Sequence, residues 1–403
     1  MTVPPRDLLP AGLRRSWAAD GTCPDLDLYG LFRARQIADP HHTAVLDAKG
    51  KLCYTALDRK VRCLAVGLRG LGVGPGDVVG VRLPDDRNAV IADLALAALG
   101  AVALPFPVDR GVPGTESLLR RSGAVAVIAS AEHRDVRHAA GLQNLVRSLP
   151  ALRHVVAVGP GEVPEGAVAW SELLRSDPEA FVPARPDPDG AARILVSYGS
   201  EPDPGSEYGS EPDPGPEYEP RMVAYSHNAL AGGRGDSLAS LIPDRTPPRC
   251  LFLVPLASAF GAGGTPVVLA RHGGTLVLLD RFTPGTALAA VREHRPTHVL
   301  GTPASIRAML EHLDPADERL PAATALVLGG APLDAATATA AAEAFGCPAV
   351  RLYDSADGVN CHTGPTRTVP PADGAAVVAG LPDPRVAEFR DTGGDRAEPA
   401  RLG

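Results

Sequence analysis

The stretch that decides the fold runs from Ala192 to Asn228. It opens A-R-I-L-V-S-Y-G-S over 192–200, passes through Glu201–Glu219, and closes P-R-M-V-A-Y-S-H-N over 220–228. Ile194–Val196 is apolar, rich in β-branched residues and bounded by turn formers, which predicts a short buried strand. Ser197, Gly199 and Ser200 come at its end. Hydroxyls and a permissive backbone at a strand end are the ingredients of a phosphate cradle.

The intervening segment is a tandem repeat: YGSEPDPGSE over 198–207 recurs as YGSEPDPGPE over 208–217. Glu201–Glu219 carries seven carboxylates, five prolines, three glycines and no basic residue, a composition that predicts an extended or disordered excursion. A phosphate site wants N–H groups and cations. Unit charges about 5 Å apart repel by roughly 3 kcal/mol at an effective dielectric of 20, so the repeat opposes triphosphate binding unless it swings away. The simplest account of it is a duplicated stretch in a tolerant surface loop.

Outward from this stretch, 403 residues with 45% apolar content suffice for two packed α/β units. A net charge of −8 argues against a nucleic-acid partner. No apolar run reaches the roughly 18 residues of a membrane span and no signal peptide opens the chain, so a cytoplasmic protein is expected. Six cysteines without CxxC spacing suit reduced thiols. Lys49, Lys51 and Lys60 are the only lysines among 39 basic residues, an arginine bias typical of a GC-rich bacterial genome.

Strand and helix signals alternate along the chain. Helices are expected over 31–37, 55–71, 88–99, 228–241 and 284–294, a hairpin around Lys49-Gly50, and strands at 78–83, 102–105, 125–128, 155–158, 250–253, 275–279 and 325–328. The alternation predicts an α/β fold of two flavodoxin-like, doubly wound units meeting at a cleft. The Pro/Asp-rich link Pro183–Gly190 divides them, giving a first unit over 1–185, a second over 190–364 and a β-rich stub over 365–403. Gly70, Gly72, Gly74 and Gly76 precede a strand where a dinucleotide loop would come after one, and read as a turn. His294 and His298 have i,i+4 spacing, but Pro296 between them argues against a helical metal pair. Neither G-x-S-x-G nor GxxxxGK[ST] occurs.

This layout resembles the adenylate-forming superfamily of acyl-CoA synthetases, luciferases and peptide-synthetase adenylation domains. Its phosphate loop reads roughly [ST]-S-G-[ST]-[ST]-G-x-P-K-G-V-x-x-[ST]-H. Ser197, Gly199, Ser200, Pro220, Val223, Ser226 and His227 match it, while Tyr198, Arg221 and Met222 do not. Pro255–Gly261 resembles a P-L-x-H-x-x-G block, Gly329–Leu333 an adenine-contacting segment, and Tyr353–Asp357 a Y-G-x-T-E block. The resemblance covers about residues 30–390 and implies the N-terminal domain of that family.

The resemblance implies a ligase that joins a small carboxylic acid to ATP as an acyl adenylate, with Mg2+. Ser197, Gly199, Ser200 and Arg221 would bind phosphate. Gly329, Gly330, Ala331, Pro332, Tyr353 and Asp354 would line the nucleotide slot. His227, Ser258, Phe260, Gly301 and Thr302 would face the acid, and Asp357 would hold the metal. CoA, a carrier protein or a separate C-terminal domain would be the partner. Several positions depart from the pattern: Ser258 replaces a histidine, Ala356 a phosphate-contacting hydroxyl, and Asp354 a glycine. The sequence stops where the family's C-terminal lid domain, with its late catalytic lysine, would begin. An impaired or partner-dependent ligase is therefore expected, the alternative being a non-catalytic relative that binds a small acid or a protein.

Overall fold

The computed structural model describes residues 24–197, 220–233, 246–313, 319–330, 333–353, 361–363 and 389–390, with Ser16, Ala19, Leu238, Leu241 and Ile242. Its strands, in chain order, are β1 (Thr43–Asp47), β2 (Gly50–Cys53), β3 (Val78–Arg82), β4 (Val102–Pro105), β5 (Ala126–Ser130), β6 (His154–Val158), β7 (Val168–Ala169) and β8 (Ala191–Ser197). They continue as β9 (Arg221–Ser226), β10 (Arg249–Phe252), β11 (Thr275–Leu278), β12 (His298–Gly301), β13 (Ala325–Leu328), β14 (Ala349–Tyr353), β15 (Cys361–Thr363) and β16 (Phe389–Arg390).

Two eight-stranded sheets result among the described residues. One runs β16-β9-β8-β4-β3-β5-β6-β7, the other β15-β14-β13-β12-β10-β11-β1-β2. Each is parallel at its centre with antiparallel pairs toward an edge, as in β8 with β9 and β14 with β15. This is the expected α/β class.

Both faces of the central strands are apolar, and alternate residues feed different cores. On β5, Ala126 and Ile128 enter one cluster while Val127 and Ala129 enter another. On β10, Cys250 and Phe252 join the same cluster as Ala126, and Leu251 joins a third. The shared cluster therefore lies between the sheets. It is filled by the helices Leu28–Ala38, Tyr54–Gly70 and Arg87–Leu99. The last is buried on every side from Ala89 to Leu99 except at Asp93, as expected of a helix enclosed by two layers. Asp86 starts that helix by accepting from the Asn88 N–H at 2.7 Å, and Gly100 ends it with φ 67°. The helices Val112–Ser122 and His138–Leu145 cover the outside of the first sheet. Pro284–His294, Pro303–Glu311 and Ala335–Phe345 cover the outside of the second.

Sheet membership does not obey a single cut at 185–190. The hairpin β1–β2 belongs to the second sheet, where Val45 and Leu46 pair in parallel with Leu276 and Val277. β8 and β9, which lie beyond the link, complete the first sheet. The physical reason is burial: Ala44, Val45 and Leu46 are apolar on both faces and need a parallel neighbour, which β11 supplies. The 365–403 segment lies outside the described residues apart from β16, which pairs antiparallel with β9.

Two helical readings also differ. Where a helix was expected over 228–241, Asn228 and Leu238 are α-helical and Ala229–Gly233, which ends in the weak helix formers Gly232 and Gly233, is π-helical. The helical stretch Gly261–Arg271 was hidden in sequence by G-A-G-G-T-P. Among the described residues no helix is long and apolar enough to cross a membrane.

Candidate functional site

In the second sheet β10 has β11 on one side and β12 on the other, so the chain reverses its winding there. Parallel α/β sheets bind ligands outside the carboxyl ends of their strands at such a switch point. Four adjacent strands, β14-β13-β12-β10, deliver their carboxyl ends to this place. Leu253–Gly261 leads away from β10, Thr302 from β12, and Gly329-Gly330 from β13; β14 ends at Tyr353.

The turn after β10 is held by its own polar groups. The Ser258 hydroxyl donates to the Pro255 carbonyl at 2.7 Å and accepts from the Gly261 N–H at 2.9 Å. A Cβ on residue 261 would lie 2.0 Å from the Pro255 oxygen, so only glycine closes this turn. The ring of Phe260 then rests on Gly329, where an added Cβ would meet ring Cε1 at 3.2 Å and the Leu352 carbonyl at 2.9 Å. The Gly329 N–H donates to the Gly301 carbonyl at 3.1 Å. Gly330 is exposed with φ 81°, and its position faces the Thr302 methyl at 3.7 Å. Thr302 caps the helix Pro303–Glu311, exchanging hydrogen bonds of 3.1 and 3.0 Å with Ser305.

The structure thus brings Ser258, Phe260, Gly301, Thr302, Gly329 and Gly330 to one crevice. Among the described residues, the glycines and the one aromatic face suit a flat ring. Ser258 and Thr302 spend their hydroxyls on the turn and the cap, so they shape the wall.

The remaining candidates stand differently. Ser197 and Arg221 are paired across the ends of β8 and β9, so the acidic repeat lies on the connection of an antiparallel hairpin. Tyr353 ends β14 opposite Cys361. Gly199, Ser200, Ala331, Pro332, Asp354 and Asp357 lie outside the described residues, as does Ala356. His227 is fully buried, and its Nδ1 accepts from the Leu28 N–H at 3.2 Å, at the start of the helix Leu28–Ala38. Burial pushes its imidazole down to about 4, with Asp27 opposing, so the ring is neutral at pH 7. Among the described residues no group of three or more His, Cys, Asp or Glu side chains stands where it could hold a metal.

Sequence reasoning missed three charged residues behind the crevice: Asp85, Asp93 and Arg193. The available signal was a charge inside an apolar run, A-R-I-L-V at Arg193 and A-D-L-A-L at Asp93. Burial pushes the Asp85 carboxyl up to about 7, while the Leu256 N–H bond and Arg193 lower it and Asp86 raises it.

The AMP-binding enzyme family profile matches residues 32–204 and 219–385. The chain belongs to the AMP-binding enzyme family. The two matched segments omit residues 205–218, which fall inside the acidic segment Glu201–Glu219. The chain is 32% identical over 309 residues to a feruloyl-CoA synthase of Amycolatopsis sp, an alignment covering 75% of this chain and 54% of that protein. It is 28% identical over 284 residues to Protein Y of Streptomyces griseus, covering 69% of this chain and 87% of that one. Among solved structures, the apo form of Mycobacterium smegmatis MbtA matches at TM-score 0.69 and 27% identity, over 88% of this chain and 62% of that chain. The chain spans about half the length of the first curated relatives it matches.

Proposed function

We propose that this chain is the acid- and nucleotide-binding part of an acyl- or aryl-acid-activating, AMP-dependent ligase. The observation that carries the reading is the crevice at the β10/β12 switch point, where Phe260 rests on Gly329 in a chain of the AMP-binding family. A carboxylate oxygen of the acid would bond to the α-phosphorus of ATP while the bond to pyrophosphate breaks. Gly329, Gly330 and Tyr353 would border adenine, and Phe260, Gly301 and Thr302 the acid. Ser197 and Arg221, with Gly199 and Ser200, would meet the phosphates at the β8–β9 hairpin. Magnesium, held by Asp357, would neutralise phosphate charge. The relative named feruloyl-CoA synthase supports an aromatic acid, with CoA or a carrier protein as acceptor.

Adenylate formation by residues 1–403 alone is expected to be slow. Ala356 offers no hydroxyl, and the repeat brings like charge. A lost hydrogen bond to a charged group costs about 1.5–3 kcal/mol and each 1.4 kcal/mol is tenfold in rate, so this one loss removes roughly one to two powers of ten, and the repulsion adds to it. These same features favour a second reading, a non-catalytic relative that binds a small acid or a protein.

Acid-dependent ATP–pyrophosphate exchange, run beside a magnesium–ATP titration, separates the readings. ATP binding with weak exchange supports the first. Acid binding with no ATP binding supports the second. Rapid exchange by the chain alone would overturn the expectation of slow chemistry.

A further inference from the structure

Leu256 is gripped from the opposite sheet on both sides of its peptide. Its N–H donates to Asp85 Oδ1 at 3.0 Å, and Asp85 lies just past β3 of the first sheet. Its carbonyl accepts from an Arg193 guanidinium nitrogen, and Arg193 lies on β8 of the same sheet. The other terminal nitrogen of Arg193 bonds Asp93 Oδ2 at 2.7 Å, on the helix Arg87–Leu99 between the sheets. That oxygen also accepts from the Thr265 hydroxyl at 3.2 Å, so the bonds return to the second sheet's side. The Arg193 and Asp93 side chains are only 5% and 12% exposed.

A guanidinium buried in an apolar layer is costly unless paired, and pairing fixes its position closely. Here that position is transmitted. Leu256 lies inside Pro255–Gly261, the turn that Ser258 ties into one rigid unit and that carries Phe260 onto Gly329. Moving Leu256 moves Phe260.

We propose that Arg193 and Asp85 are positioning residues that hold the turn Pro255–Gly261, and thereby set the width of the acid crevice from the neighbouring sheet. The clamp itself stands on geometry alone; its link to acid selection rests on the proposed function above. Besides the clamp, the turn is held by its internal bonds, the Phe260 contact and the packing of the Leu256 side chain in the core, and a wall misplaced by about 1 Å is enough to change selection among acids.

Backbone hydrogen exchange read by mass spectrometry on the full chain tests the clamp without any activity. The informative variant is Arg193→Met with Asp93→Asn, which removes both members of the buried ion pair. Arg193→Lys, which keeps the charge but not the fork, and Asp85→Asn, which keeps an acceptor, are the milder changes. Exchange across 255–261 is expected to rise about tenfold in the double variant, less in Arg193→Lys and least in Asp85→Asn, with β4 and β5 unchanged. A uniform rise across both sheets, or no rise at 255–261, overturns the proposal. Binding of short and long aromatic acids to the parent and to Arg193→Lys is then compared by calorimetry. A shift of at least fivefold in their affinity ratio supports the role in selection, and an unchanged ratio overturns that role. If the parent binds no acid, the proposed function fails while the exchange result still decides the clamp.

Discussion

Phe260 packs so closely on Gly329 that a single added carbon at residue 329 would sit 3.2 Å from its ring, with the Leu352 carbonyl behind at 2.9 Å. Residues some seventy positions apart in the chain thus meet where the carboxyl ends of β10 and β13 converge, and the contact gives the crevice its floor. Gly329→Ala is expected to destabilise the protein by about 1–3 kcal/mol, because the carbonyl is backbone and cannot turn aside. Its denaturant midpoint measures this, and a midpoint equal to the parent's would show that the contact is loose.

A graded glycine series extends the same reasoning. At Gly261 a Cβ would lie 2.0 Å from the Pro255 oxygen, so Gly261→Ala should cost about 3 kcal/mol or more. At Gly70, in the helix Tyr54–Gly70, nothing lies within 4 Å, and Gly70→Ala should be neutral or stabilise by up to about 1 kcal/mol. Thermal or urea unfolding ranks all three. An order other than Gly261, Gly329, Gly70 from worst to best contradicts the packing described.

Protonation gives two opposing trends in stability. Burial holds the imidazoles of His138, His227 and His272 down at about 4, so the folded chain binds fewer protons than the unfolded one between about 4 and 6.5. Stability from these groups is complete above pH 6.5 and drains away as pH falls toward 4; for the enclosed His227 the loss is up to about 3 kcal/mol. Asp85 runs the other way: folded, its carboxyl keeps its proton to about 7 through burial, with Asp86 beside it and Arg193 opposing, so its contribution is lost as pH rises through 7. Asp85→Asn should therefore gain stability relative to the parent from pH 5 to pH 8, by about 2 °C or more in Tm. A gap that narrows with rising pH would contradict the sign.

Excising residues 201–216 leaves Glu217, Tyr218 and Glu219 before Pro220 and removes five of the seven carboxylates of Glu201–Glu219. Affinity for magnesium–ATP is expected to rise, and the gain should shrink as salt is raised, since screening at 0.15 M acts over roughly 8 Å. Turnover should stay near background. An affinity unchanged at low salt would mean that the repeat stands clear of the phosphates.

The sequence by itself determined the α/β class, most of the element order and the blocks that build the crevice. These rest on local rules: short apolar runs such as Val78–Arg82 and glycines such as Gly329-Gly330 at strand ends. The helix Pro284–His294 and the strand Ala325–Leu328 match the bounds expected from the sequence. Only the tertiary structure decided which sheet each strand joined, because an apolar strand such as Thr43–Asp47 can satisfy its ladder beside any neighbour that buries both its faces. It also decided the partner of Arg193, one hundred residues away at Asp93, and the grip on Leu256. A buried charge announces in sequence that it needs a partner, and the packing of the layers alone determines which group comes within reach.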